Sequence, residues 1–249
     1  MEHDLTLAAH RITLVPLALH HAPALLDLID EGVWAGMTSP LPTTVADVEA
    51  TIRTALTTPG RYAFAVLGTH ESGRRRALSG QESTDVAAEQ DATHAAAGLD
   101  APGAPAGEDA PDVPAGQDAT DATGAAENEH RTLRGTTSFY DVAPDQLRLE
   151  VGHTYYGRQW WGGPTNPACK LALLTHAFEV WGMYRVALRA DSRNSRSIGA
   201  MRRLGAVSEG VLRGHRAAAD GTRADTAYFS VLAPEWPAVR DGLLRRLEG

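Results

Sequence analysis

Between Glu71 and about His130 the chain is built almost wholly of Ala, Gly, Asp, Glu and Pro, with hardly a large apolar side chain. A stretch of that composition cannot bury enough surface to offset its conformational entropy, so residues 71–130 are expected to be disordered. Two imperfect copies of one unit, PAGEDAPDV from Pro105 and PAGQDATDA from Pro114, lie inside it. Two copies are too few for a solenoid and read as loop expansion. Residues 1–70 and 131–249 are left to make a single domain across the gap. That is feasible, because the entropic cost of closing a loop rises only slowly with its length.

Charge supports the same division. Residues 71–130 carry thirteen Asp/Glu against three Arg, a net of −10, whereas the whole chain is −8. The foldable part is therefore close to neutral, at about +2. Arg74-Arg75-Arg76 is the basic run before the C-terminal tail. It adjoins the acidic tract and has no aromatic-basic stripe beside it, so no nucleic-acid partner is expected. The ten His show no ligand spacing and Cys169 is the lone cysteine, so neither a metal site nor a disulfide is expected. No apolar run approaches membrane-spanning length, and the start Met1-Glu2-His3-Asp4-Leu5 lacks a signal core. A cytoplasmic protein with no membrane partner is the expectation.

The two flanking segments alternate between the periods of strands and helices. Arg11–Leu17 predicts a strand, and Leu25, Leu26 and Ile29 a helix face. Thr44-Val45-Ala46-Asp47 has the form of a capping box opening a helix with Val48 and Ile52. Tyr62–Gly68, Gly135–Val142 and Leu147–Gly157 predict three strands, the first two joined at a hairpin that the acidic tract interrupts. Pro167–Gly182 predicts the strongest helix, with Leu171, Leu174, Phe178 and Trp181 on one face and Gly182 as its stop. Arg185–Ala190 predicts a strand, Ser195–Leu204 a helix stopped at Gly205, and Val207–His215 with Thr226–Leu232 a final pair turning at Asp220-Gly221. The terminal Glu235-Trp236-Pro237 reads as a tail covering the sheet. The pattern is a mixed α/β sheet.

The junction YYGRQWWGGPTNPACK, from Tyr155 to Lys170, carries the chemistry most plainly. A strand gives way to a Gly-rich turn and then to a helix, with Asn166 the expected N-cap and Pro167 its first residue. Unpaired N–H groups at such a start favour an anion, Gly162 and Gly163 would let it approach the backbone, and Lys170 could add positive charge. No Gly-Lys-Ser/Thr follows, so this is not a Walker loop. An ordinary helix start remains the other reading. Asn194 and Ser197, three apart at the next helix start, read either as a site pair or as an N-cap and a surface residue. Trp160 and Trp161 either line an acceptor pocket or pack under the sheet.

Taken in order, EVGHTYYG, the Gly-rich turn with TNPACKLALLTHAFEVWGMYRVALRAD, NSRSIGAMRRLGAVSEGVLRGH, DGTRADTAYFS and EWPAVR resemble the GNAT acetyltransferase superfamily. The match runs from Leu147 to about Arg240 and is nearest to the Rim-type branch, whose founding members acetylate the amino termini of ribosomal proteins. The resemblance implies a mixed, mostly antiparallel sheet flanked by helices, with a V-shaped opening between two central strands. It implies acetyl-CoA as co-substrate in that opening, its pyrophosphate on the amides opening the Pro167 helix, and an amine acceptor as partner. A monomer or homodimer is expected. Where relatives carry Gln/Arg-x-x-Gly-x-Gly/Ala, this chain has Gln159-Trp160-Trp161-Gly162-Gly163-Pro164. Proline lacks an N–H, so Thr165 or Asn166 would supply the missing phosphate contact.

Acyl transfer from a thioester needs a neutral amine, a polarised carbonyl and a protonated leaving thiolate. The base is a carboxylate, a His or a water chain to either. The resemblance places Glu150 in that role, with His153, Glu209 and His215 in reserve. By the same carry-over Asn194 bonds the pantetheine arm, Ser197 protonates the thiolate, and a backbone N–H beside Glu150 meets the carbonyl oxygen. Cys169 reads as a small buried residue. The competing expectations are a small-molecule amine acceptor and a non-catalytic acyl-CoA-binding module with a degenerate phosphate loop.

Overall fold

A capping box opens the helix that most firmly anchors the first segment. In the computed structural model Thr44 accepts the Asp47 N–H at 3.2 Å while Asp47 accepts the Thr44 N–H at 2.9 Å. The structure describes residues 3–35, 37, 39–69, 131–218 and 221–248. The tract at 71–130 expected to be disordered lies outside the described residues, as does Asp220 of the expected turn.

The elements in chain order are β1 (Leu7–Ala9), β2 (Ile12–Pro16), α1 (Ala22–Leu26), α2 (Glu31–Trp34), α3 (Val45–Thr57), β3 (Tyr62–Thr69), β4 (Arg131–Ala143) and β5 (Arg148–Tyr156). They continue with α4 (Thr165–Thr175), β6 (Arg185–Asp191), α5 (Ser195–Leu204), β7 (Val207–Ala217), β8 (Arg223–Leu232) and α6 (Trp236–Glu248). The eight strands among the described residues form one sheet, in the order β1-β2-β3-β4-β5-β6-β8-β7. Every pairing is antiparallel except β5 with β6. The mixed, mostly antiparallel α/β sheet expected from the sequence is thus the fold.

Strand alternation sends side chains to two cores. On β3, Phe64 and Val66 join the larger core with α4 and α6, while Ala63 and Ala65 face α1 and α3. Phe64, Phe139 and Phe229 are essentially fully buried, each contributing roughly 1.5–3 kcal/mol of transfer free energy. The short residues on the other face let α3 lie close, its Val48, Ile52 and Ala55 against the sheet.

Three expectations are corrected. The helix predicted from Pro167 begins at Thr165, because Pro164 already has helical angles and its carbonyl accepts the Ala168 N–H at 3.0 Å. Pro167 then falls where no intrahelical donor is needed. The same helix does not run uniformly to Gly182: it passes into a π-helical turn at His176–Val180. Phe178 and Trp181 are only half-buried there, but they still pack against the core that holds Leu171 and Leu174. Finally, Glu235-Trp236-Pro237 is not a tail. Glu235 accepts the Leu232 N–H at 2.9 Å and launches α6, whose Trp236, Val239 and Leu243 are buried.

The site follows from where the one parallel pair ends. β5 and β6 are in register at Arg148↔Arg185, Leu149↔Val186 and Glu150↔Ala187, and no further, although both strands continue. Beyond Glu150 the two strands part, opening a V in the middle of the sheet.

Candidate active site

A cavity of about 590 Å³ occupies the splay between β5 and β6. Its walls come from β5, the turn at Trp160–Gly163, the start of α4, the outer half of β6, α5 and the residues around α2. A β-bulge shapes the β5 wall. Thr136 pairs with Tyr155 and Ser138 with Gly152, so β5 carries one extra residue there, and His153 takes φ +47. The bulge shifts the β4–β5 register at the point where β6 has left β5.

Of the residues singled out in the sequence, Gly162, Gly163, Asn166, Lys170, Asn194 and Ser197 all line the cavity. Gly162 has φ +74, which a side chain would strain. Thr165 and Asn166 have backbone N–H groups in the first turn of α4, flanked by two prolines that have none. The Thr165 side chain points elsewhere: it is buried and its hydroxyl accepts from Arg134 at 2.9 Å. Lys170 is 8% exposed and lines the cavity, and burial pushes its ammonium down to about 8. The cavity also takes Arg196, Arg203 and Arg246, none of which the sequence reading singled out. Arg196 lies 3.5 Å from the centre of the Trp161 ring, a cation–π contact that stiffens the turn. Trp160 and Trp161 both line the cavity and pack against the core.

Asn194 caps α5, its Oδ1 accepting the Ser197 N–H at 3.0 Å. Its amide Nδ2 is the atom left for other partners. Ser197 is half-buried at the cavity wall. Cys169 is fully buried, and desolvation pushes its thiol up to about 11, so it is no thiolate nucleophile.

Glu150 sits at the apex of the V, buried, and is not itself on the cavity wall. Tyr140, its cross-strand partner on β4, donates to Glu150 Oε2 at 2.5 Å, and Arg189 Nε lies 3.3 Å from the same oxygen. Of the reserves, His153 and His215 line the cavity. His153 faces the Tyr140 ring at 4.9 Å, and desolvation followed by the charges of Arg61 and Arg189 pushes it down to about 4. Glu209 lies apart, held by Arg185 and by Ser230 at 2.8 Å. Tyr140 and Arg189 were missed in the sequence. The two-residue alternation that puts Tyr140 and Arg189 on the face of Glu150 was the available signal, but register between strands is not written locally.

Among the described residues no group of three or more His, Cys, Asp or Glu lies together as a metal site would require. Among them, too, no helix is long and apolar enough to cross a membrane.

Comparisons with known proteins agree with this geometry. The family model described as acetyltransferase (GNAT) domain matches residues 114–207. A crystallised protein named as an acetyltransferase is 30% identical, over 98% of this chain and 94% of its own, with a TM-score of 0.69. Another so named, from T. thermophilus, is 29% identical over 99% of each chain, also at 0.69. The microcin C7 self-immunity acetyltransferase MccE, solved with acetyl-CoA and AMP, is 14% identical over 89% of this chain and 92% of its own. Its TM-score of 0.58 marks a shared fold. No curated protein matches the sequence significantly.

Proposed function

The chain belongs to the GNAT family of acetyltransferases, and on that premise we propose that it moves an acetyl group from acetyl-CoA to a primary amine by direct attack in a ternary complex. The observation that carries this reading is the coincidence of the cavity with the parting of β5 and β6. The Gly-rich turn, the α4 start and the Asn194/Ser197 pair all border that one space. Its basic lining by Lys170, Arg196, Arg203 and Arg246 suits a polyphosphate carrier.

The Thr165 and Asn166 N–H groups and the Lys170 ammonium hold the pyrophosphate, with Gly162 and Gly163 shaping the turn around it. Beyond Glu150 the β6-facing backbone of β5 has no strand partner, so its groups serve the pantetheine arm and the thioester carbonyl. Asn194 donates from Nδ2 to the arm. Ser197 donates its hydroxyl proton to the departing thiolate. Glu150 receives the proton that the amine sheds. An α-amino group, with an ordinary pKa of roughly 8, needs less help than a lysine near 10.4. This favours the amino terminus of a protein, in line with the Rim-type resemblance, over a lysine side chain. A small-molecule amine fits the same chemistry. Residues 1–70 and 131–249 form the one catalytic domain, a reading supported by Thr69 and Arg131 being register partners.

Pro164 favours a second reading, an acyl-CoA-binding module without turnover, since it removes a donor from the phosphate turn. Thiol release decides between them. Purified protein is mixed with acetyl-CoA and, separately, a peptide with a free α-amino group, spermidine and an aminoglycoside. Acceleration of thiol release by at least one amine is expected. An amine-independent rate throughout, with acetyl-CoA bound, would replace the transferase reading with the binding module.

A further inference from the structure

The geometry points to Tyr140 as the proton conduit between the acceptor amine in the cavity and Glu150, a role that rests on the acetyl-transfer reading above. Glu150 is not on the cavity wall, whereas Tyr140 is. The Tyr140 hydroxyl is bonded to Glu150 Oε2 at 2.5 Å, a distance proper to a charge-assisted hydrogen bond. An amine approaching the apex of the V from the cavity side therefore meets Tyr140, whose hydroxyl is bonded to the carboxylate.

The surroundings hold the pair in place. Arg189 Nε lies 3.3 Å from Glu150 Oε2, and Arg189 Nη1 is tied to the Tyr228 hydroxyl at 2.8 Å. The Arg189 guanidinium also lies 5.2 Å from the centre of the Tyr140 ring. Burial and the Glu150 charge hold the phenol far above its ordinary value, so it stays protonated until it can hand its proton on. His153 also lines the cavity beside Tyr140, but burial and then the charges of Arg61 and Arg189 disfavour a proton on it. Gly152 leaves room for the arrangement. A Cβ there would lie 2.8 Å from Tyr140 Cε1 and 3.1 Å from its hydroxyl oxygen.

The step balances. As the amine nitrogen bonds to the thioester carbon, its N–H proton passes to the Tyr140 oxygen while the Tyr140 O–H proton passes to Glu150. The carboxylate becomes a carboxylic acid and the phenol is regenerated. The C–S bond then breaks, and the thiolate takes the Ser197 hydroxyl proton. Solvent returns a proton to Ser197 while the Glu150 carboxylic acid releases its own to solvent, so both groups end as they began.

The test uses the full chain with whichever amine in the panel gives the fastest thiol release. Single-turnover rates are compared for wild type, Tyr140→Phe, Glu150→Gln and the double variant, alongside acetyl-CoA titrations of each. A relay predicts a fall on the order of 10²-fold in rate for each single variant, no further fall in the double, and unchanged acetyl-CoA binding. A Tyr140→Phe rate within about twofold of wild type would overturn it. Should Tyr140→Phe fail to fold, the wild type still decides. Two protons in flight give a curved rate dependence on deuterium fraction in mixed water, and a straight line would overturn the relay. If no amine accelerates thiol release in wild type, the transferase reading itself falls, which is a distinct result.

Discussion

Arg158 and Asp30 clasp one another, Nε to Oδ2 at 2.5 Å and Nη2 to Oδ1 at 2.9 Å, and so tie the start of α2 to the turn that leads into α4. The same Asp30 Oδ1 accepts the Val33 N–H at 2.8 Å and caps α2. Gly32 is part of the clasp, since a Cβ there would fall 2.0 Å from Arg158 Nη2. Exposed ion pairs add little to global stability, but the lost cap destabilises modestly, so Tm should fall by only a few degrees in Asp30→Ala. The larger change should be in local order. Amide exchange across residues 31–35 is expected to quicken and acetyl-CoA affinity to fall. Unaltered exchange in that helix would contradict a coupling between cap and turn.

Lys170 should take up a proton when acetyl-CoA binds. Burial holds its ammonium down to about 8 from an ordinary 10.5. Between those values the unfolded chain is protonated and the native lysine is not, so the native state gains stability as pH rises through that window. A phosphate brought against the lysine restores its affinity for the proton. Calorimetry at about pH 8.5 in buffers of different ionisation enthalpy should therefore show proton uptake on binding. Lys170→Met should abolish the uptake, weaken binding and raise stability at neutral pH. Undiminished uptake in the variant would assign the proton elsewhere.

Local signals carried much of this fold, and the site's failures of legibility have a common cause. The capping box at Thr44, α5 from Ser195 to Leu204 and its stop at Gly205 were readable because each is settled by a few neighbouring residues. The last helix was readable in principle, since Trp236, Val239, Leu243 and Leu247 recur at helical spacing. It was missed because Pro237 reads as a breaker although it sits in the first turn, where proline is tolerated. β1 is only three residues long and exists by pairing with β2. The Tyr140–Glu150–Arg189 cluster joins three strands, and Arg134 reaches Thr165 across 31 residues. Such contacts depend on register and topology rather than on spacing.

Acid should destabilise the protein through His21. His21 Nδ1 lies 3.0 Å from the Ala18 N–H and 3.2 Å from the Ala18 carbonyl. Burial, reinforced by His20, pushes His21 down to about 4 from 6.5. The unfolded chain binds a proton near 6.5 while the native ring does not. Stability is thus full above that value and falls as pH drops toward 4, with a slope of at most about 1.4 kcal/mol per pH unit, reduced by solvent at this half-buried site. Tm measured from pH 7 to 4.5 should fall less steeply in His21→Gln. Identical slopes would rule out this histidine as the titrating group.

The acidic tract should be removable. Thr69 and Arg131 face each other in the β3–β4 ladder, so a short Asn-Gly-type turn can join them in place of residues 70–130. The shortened protein is expected to fold, with acetyl-CoA affinity within about threefold of the full chain, since loop length costs little. Loss of folded protein would make the tract a structural part of the domain.

Asn194 is asked to do two things, cap α5 and donate to the bound cofactor, while Ser197 stands beside it on the cavity wall. Titration of the full chain with acetyl-CoA, in parallel with Asn194→Ala/Ser197→Ala, tests that assignment and the cavity together. The cap alone is worth about 1 kcal/mol of stability, so a thermal melt of the double variant separates unfolding from lost contacts. Saturable micromolar binding by the wild type, weakened in a double variant that remains folded, is the predicted result. Absence of binding at millimolar acetyl-CoA, or equal binding by both proteins, would contradict the cavity at the parting of β5 and β6 as the acetyl-CoA site.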